Sequence, residues 1–304
     1  MTLRAPTGFY THSLLESGPS DNLAYAPRRL AGVIDDVIAA GLHNQVRPVC
    51  IREGADLSDV LLAHDFAYID RLDREFGRLP EGSEAVPQAY IAALMSVRAG
   101  IEAVSAVFEG KIHNAFCLMN PPGHHAGRAS SGGFCLLNNA ACAILYAMAR
   151  LGVRRCVLID FDAHHCDGTQ DILGSLDGIQ VYSSYESGLY GDTARSDPNV
   201  FKLALPMGSD ASPLLHALGS QWADSVESFS PEVIFVSAGF DAHKEDEMSN
   251  LSFSDAEFSA IIRLIKNLAE NICSGRLVSM LEGGYGARPL GRCALTHLKV
   301  LAGP

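Results

Sequence analysis

Apolar residues recur at helical spacing in six stretches, at about 27–41, 86–109, 138–150, 213–228, 254–273 and 289–301. Between them lie short unbroken apolar runs of strand length: AFCLM at 115–119, CVLID at 156–160, IQVYS at 179–183, VIFVS at 233–237 and LVSML at 277–281. A strand that is apolar on nearly every residue must be covered on both faces, and strands that alternate with helices are joined by crossovers that leave them parallel. The pattern predicts an α/β fold: a single domain over residues 1–304, built on an open, mainly parallel β-sheet flanked by helices on both faces. No repeat, low-complexity tract or Pro/Gly/Ser-rich linker divides the chain, and the segments 74–88 and 185–212 read as loops that shape a rim.

Composition narrows the class. With 48% hydrophobic and 19% charged residues the chain has the apolar content of a folded globular protein, which excludes disorder as its main state. Lys and Arg number 23 against 35 Asp and Glu, a formal net charge of −12. That excess argues against a nucleic-acid partner held by a basic face and is compatible with a cationic substrate. The first residues, MTLRAPTGFYTHSLLESG, lack the apolar core of a secretory signal, and nowhere do 18 apolar residues run together. The expectation is a cytoplasmic protein without a membrane partner. Eight scattered cysteines with no CxxC pair predict reduced, mostly buried thiols, and neither a disulfide framework nor a thiolate zinc site. The pattern sets no oligomeric state.

The chemistry collects where the strand runs end. They lead in turn into NPPGHH, FDAHHCDG, SYESGLYGD, AGFDAH and EGGYG. In open parallel sheets the carboxyl edge is where active sites assemble, because the helices return the chain from it and leave a crevice. Asp162 and His164 stand two apart, so in an extended exit from a strand they face the same way, and Asp241 arrives from another strand end. One nitrogen and carboxylate oxygens, without sulfur, suit a borderline-hard ion: zinc first, with ferrous iron, cobalt or manganese as alternatives. Three protein ligands leave room for water and a substrate oxygen. The competing reading has Asp162 and Asp241 capping helices and His164 packed in a turn. His124 and His125 follow two prolines and a glycine, a rigid mount suited to proton transfer, with Asp160 and Asp167 available to fix their tautomers; alternatively the pair is a surface loop. Tyr285, between glycines in EGGYG, could donate to an oxyanion or simply be buried in a strand-to-helix connection. Phe134 in SSGGFC and Tyr190 in GLYGD could wall an apolar channel or belong to the core. His64 and Tyr68 read as a packed helix start. His243 could reach the metal or line the rim, and EDE at 245–247 reads as a solvated face.

In order, NPPGHHAGRASSGGFCLLNNAA, VLIDFDAHHCDGTQDI, VSAGFDAHKEDEMSNLSFS and LEGGYG resemble the histone deacetylase family, in particular its bacterial and class II-like members called histone deacetylase-like amidohydrolases. The motifs span 120–286, and HDFAYI at 64–69 extends the likeness upstream. The resemblance implies the arginase/deacetylase-like fold and hydrolysis of an N-acetylated amine to acetate and free amine. It matches Asp162, His164 and Asp241 to the zinc ligands, and His124 and His125 to the tandem active-site histidines with Asp160 and Asp167 as their acidic partners. Tyr285 matches the tyrosine that polarises the acetyl carbonyl, and Phe134 and Tyr190 the tunnel walls, with Gly133 beside them. It also implies a structural potassium ion held near Asp160, Asp162, His164, Ser183 and Ser184.

Some positions depart from the family pattern. Cys166 replaces a usual glycine, GPSDNLAYAPRRL lacks an HPE-like segment, and GLYGDTA replaces a PGTG turn. Met248 falls where one polyamine-selective branch carries a glutamate gate. Acetyl-lysine peptides, acetylpolyamines and small acetylated metabolites all remain candidate substrates. Two rival readings are a guanidino-group hydrolase of the arginase and agmatinase type and a catalytically silent acyl-amine binding protein. The first calls for further bridging aspartates, where this chain has DAHHCD, and the second is disfavoured by the intact set of ligands, histidines and tyrosine.

Overall fold

The computed structural model describes residues 5–12, 14, 28–74, 77–78, 84–85 and 87–303. Among the described residues, ten strands and ten α-helices follow in the order β1 (Thr7–His12), α1 (Arg28–Ala39), β2 (Val46–Ile51), α2 (Leu57–Val60), α3 (Phe66–Arg74), β3 (Gly77–Arg78), β4 (Glu84–Ala85), α4 (Pro87–Phe108), β5 (Ala115–Cys117), α5 (Asn139–Leu151), β6 (Cys156–Asp160), α6 (Asp167–Leu173), β7 (Ile179–Glu186), β8 (Val200–Leu205), α7 (Ser212–Leu218), α8 (Gln221–Phe229), β9 (Val233–Ala238), α9 (Asp255–Cys273), β10 (Leu277–Leu281) and α10 (Ala287–Ala302). Eight strands form one sheet in the order β2-β1-β5-β10-β9-β6-β7-β8, and every pairing in it is parallel. β3 and β4 form a separate antiparallel pair.

Strand alternation divides the core. Cys156, Leu158, Val233, Phe235, Val278 and Met280 point to the face covered by α4 and α5. Val157, Ile159, Ile234, Val236, Leu277 and Leu281 point to the face covered by α1, α9 and α10. Every residue of β6, β9 and β10 is buried, as their unbroken apolar runs require. Within α4, Gln88–Phe108 is long and apolar enough to cross a bilayer, but 61% of its apolar window is buried inside the protein, as befits a core helix. Seven cysteines are buried, Cys50 is exposed, and all eight are free thiols.

The sheet differs from the pattern-based expectation in three strands. β1 and β2 had no signal: TGFYTH mixes glycine and polar residues, and VRPVCI carries Pro48. A proline lacks the N–H that a central strand would use, and β2 accommodates it as an edge strand. β8, the opposite edge, is only partly buried and lies within the expected 185–212 loop. The helix expected over 213–228 is two helices, broken at Gly219–Ser220. Most of GPSDNLAYAPRRL, and much of 74–88, lies outside the described residues.

Candidate active site

Because the sheet strands are parallel, the segments leaving β5, β6, β7, β9 and β10 gather at one edge. There His124, His125, Gly133, Phe134, Asp162, His164, Tyr190, Asp241, Met248 and Tyr285 line a single cavity of about 150 Å³. Its base is a cluster of donor atoms. His164 Nδ1 lies 3.0 Å from Asp162 Oδ1 and 2.9 Å from Asp241 Oδ2. Asp162 and Asp241 are each 1% exposed, and one ligand atom from each of the three residues lies within 4.8 Å of the others. The carboxylates are aimed from behind: Gly283 N–H donates to Asp162 Oδ2 at 2.8 Å and Ala163 N–H to Asp241 Oδ1 at 2.9 Å.

Electrostatics make this cluster fit a cation. Burial and the adjacent Asp162 push Asp241 up to about 6. Burial acts to raise Asp162 as well, but His124 and His164 outweigh it and hold that carboxyl well below its usual range. Against its own burial, Asp162 and Asp241 lift His164 to about 10. Two buried carboxylates converging on one imidazole nitrogen are a donor set that a divalent ion would neutralise.

Two histidine–carboxylate pairs stand above this base. His124 Nδ1–H donates to Asp160 Oδ2 at 3.0 Å, and His125 Nδ1–H donates to Asp167 Oδ1 at 2.6 Å. The rings lie 4.0 Å apart between centroids. Burial would lower His124, but the charges of Asp162 and Asp160 outweigh it and hold it well above 6.5. Burial and the neighbouring His124 depress His125 to about 4 despite Asp167. Tyr285 is half-buried, and desolvation raises its phenol well above 10, so the hydroxyl remains a donor. Phe134 and Tyr285 meet edge to face at 5.7 Å, as do Tyr190 and His125 at 4.8 Å. Gly133, at φ +48°, leaves no room for a side chain, since a Cβ there would enter the His125 ring. Phe134 itself adopts φ +68°, a strained conformation for a residue with a side chain.

Several supports lie outside the sequence-based reading. Glu282 is fully buried and accepts from the N–H groups of Gly123 (2.6 Å) and His124 (3.1 Å), which fixes the histidine turn; burial raises its carboxyl to about 7. Arg29, from α1, donates to the Gly284 carbonyl at 2.8 Å, also to that of Glu282, and lies over the Tyr285 ring at 4.8 Å. His165 accepts from Ser183 Oγ–H and donates to Gln170 Oε1, which packs it behind the cluster. Ser183 and Asp160 are register partners on β7 and β6, and Ser183 and Ser184 are buried. His64 and Tyr68 are packing residues, bonded to the carbonyls of Gly127 and Leu136.

Two expectations are corrected. His243 neither reaches the donor cluster nor lines the cavity: it is fully buried and stacked on Phe258. Glu245 N–H donates to its Nδ1, so its proton sits on Nε2, 3.7 Å from Asp255. That tautomer leaves Nε2 no lone pair for an ion, although Asp255 and Cys293 stand nearby. The 245–247 run is not uniformly solvated, because Asp246 is only 7% exposed.

The histone deacetylase domain profile matches residues 24–301. A type-2 histone deacetylase of Dictyostelium discoideum is 35% identical over 69% of this chain, but the match spans only 14% of that protein's length. A histone deacetylase-like amidohydrolase of Pseudomonas aeruginosa is 30% identical, with 99% of this chain and 81% of that one covered. The solved HDA15 HD domain superposes with a TM-score of 0.86 at 24% identity, covering 98% of this chain and 88% of that domain, a likeness of fold. The chain belongs to the histone deacetylase family, a family of hydrolases that act on C–N bonds other than peptide bonds.

Proposed function

We propose that this protein is a metal-dependent deacetylase that hydrolyses an N-acetylated amine to acetate and free amine, with residues 1–304 acting as one catalytic domain. The observation that carries this reading is the convergence of three ligand donors, two histidine–carboxylate pairs and a tyrosine on one cavity of about 150 Å³. Asp162, His164 and Asp241 would hold the ion, zinc by its donor set. Once bound there, it would supply Lewis acidity toward the acyl oxygen and toward water. His125 is oriented by Asp167 through Nδ1, which leaves Nε2 to take a proton from the attacking water. The Tyr285 hydroxyl donates to the acyl oxygen as negative charge develops on it. As the C–N bond breaks, the departing nitrogen takes a proton from a protonated histidine of the pair, and acetate leaves. Phe134 and Tyr190 would enclose the aliphatic arm of the substrate, and Met248 the wall beyond them. The net charge of −12 favours a substrate with a cationic remainder, an acetyl-lysine peptide or an acetylpolyamine. Asp160, Asp162, His164, Ser183 and Ser184 are proposed to hold a structural potassium ion. Dialysis against a chelator is expected to abolish acetate release and zinc to restore it; undiminished release from metal-free protein contradicts the reading.

A further inference from the structure

Tyr285 sits in a run with glycine at 283, 284 and 286, so its own side chain makes little of the backbone rigid. What holds the segment comes from elsewhere in the chain. Gly283 is bonded to Asp162, and the Gly284 carbonyl accepts from Arg29. The next two amides both donate to one carboxylate: Tyr285 N–H reaches Asp246 Oδ2 at 2.7 Å and Gly286 N–H reaches it at 2.8 Å. The other oxygen, Asp246 Oδ1, accepts from Met248 N–H at 3.0 Å. Asp246 is 7% exposed and stays outside the cavity, whereas Met248 and Tyr285 both line it.

We infer that Asp246 is a positioning residue that sets Tyr285 and the Met248 wall as one unit, acting on turnover only through them. The inference rests on the role given to Tyr285 above. A carboxylate can accept at both oxygens, whereas the amide of Asn presents a donor on one side and must abandon either Met248 or the Tyr285–Gly286 pair. A displacement of the phenol by a fraction of its hydrogen-bond length would weaken its contact to the acyl oxygen while leaving the ligand donors in place.

The test is a double-mutant cycle on the metal-loaded protein, with Asp246→Ala and the near-isosteric Asp246→Asn each placed in wild-type and Tyr285→Phe backgrounds. Metal content and thermal midpoint are recorded for every variant. In the wild-type background kcat is expected to fall about 10- to 100-fold, with metal content unchanged. In the Tyr285→Phe background the same substitution is expected to cost less than about 2-fold in kcat, because the hydroxyl it positions is already gone and the Met248 wall, which encloses the substrate, enters KM instead. A merely structural role would give the same fold-loss in both backgrounds, and that result overturns the inference. Should Asp246→Ala not fold, Asp246→Asn carries the cycle alone. If Tyr285→Phe by itself leaves kcat intact, the role of Tyr285 fails and takes this inference with it. Additivity alongside a large Tyr285→Phe effect removes Asp246 only.

Discussion

A Cβ on Gly283 would stand 2.5 Å from the Oδ2 atoms of both Asp162 and Asp241, well inside contact distance. Gly283→Ala is therefore expected to spread the donor set and lower divalent-ion affinity by about 10- to 100-fold, the range found when groups behind ligands are disturbed. Competition against a metallochromic chelator measures it, and an unchanged affinity would show that the carboxylates are not ligands. For the groups assigned to the chemistry, Tyr285→Phe is expected to lower kcat about 100- to 1,000-fold with little change in KM, since its hydroxyl acts on charge that forms during the reaction. A rise confined to KM would place Tyr285 in ground-state binding instead. At this scale the sequence was informative where ligands and proton-transfer groups fall within a few residues of a strand end: Asp162 and His164 need only the geometry of one strand exit. Glu282, Arg29 and Asp246 carried no such local signal. Their partners lie 158, 255 and 39 residues away, so a lone acid or base in the chain gave nothing to read.

Among the elements, α5 ties the helical layer to the histidine turn through its cap. Asn138 accepts from Ala141 N–H at 2.9 Å as the N-cap, and its amide nitrogen donates to the Ala126 carbonyl and Thr169 Oγ, both at 3.0 Å. Asn138→Ala is expected to cost about 1 kcal/mol for the cap and about 1–3 kcal/mol for the buried acceptors left unpartnered. Urea denaturation reads the loss, and a change under about 0.5 kcal/mol would mean that the bonds are replaced by other donors. The central strands were legible because burial on both faces forces unbroken apolar runs. The edges were not: β2 tolerates a proline and β8 leaves most of its residues half-exposed. The break between α7 and α8 shows the limit of periodicity, since an apolar stripe continues across a turn that Gly219 and Ser220 interrupt.

For the molecule as a whole, acid stability depends on histidines remote from the donor cluster. Burial lowers His12 and His64 from 6.5 to about 4 and His297 to about 3. Their folded values lie below the unfolded one, so the unfolded chain takes up protons first as pH falls. The stability they contribute is complete above pH 6.5 and drains away as pH drops toward 4 for His12 and His64 and toward 3 for His297, on the order of 3 kcal/mol or more per histidine. His297 lies among Phe116, Phe161 and Phe240. His297→Phe should therefore flatten the pH dependence of the unfolding free energy by one histidine's share, and an unaltered slope would refute the assignment.

One cavity at the carboxyl edge of the sheet is proposed to cleave acetylated amines. The most direct measurement is acetate release by zinc-loaded protein from an acetyl-lysine peptide and from acetylated polyamines, beside a His125→Ala control carrying the same metal. Release from at least one substrate is expected, with a fall of about 100-fold or more in the control. Stoichiometric metal without release from any of them, or release that His125→Ala leaves intact, would contradict it.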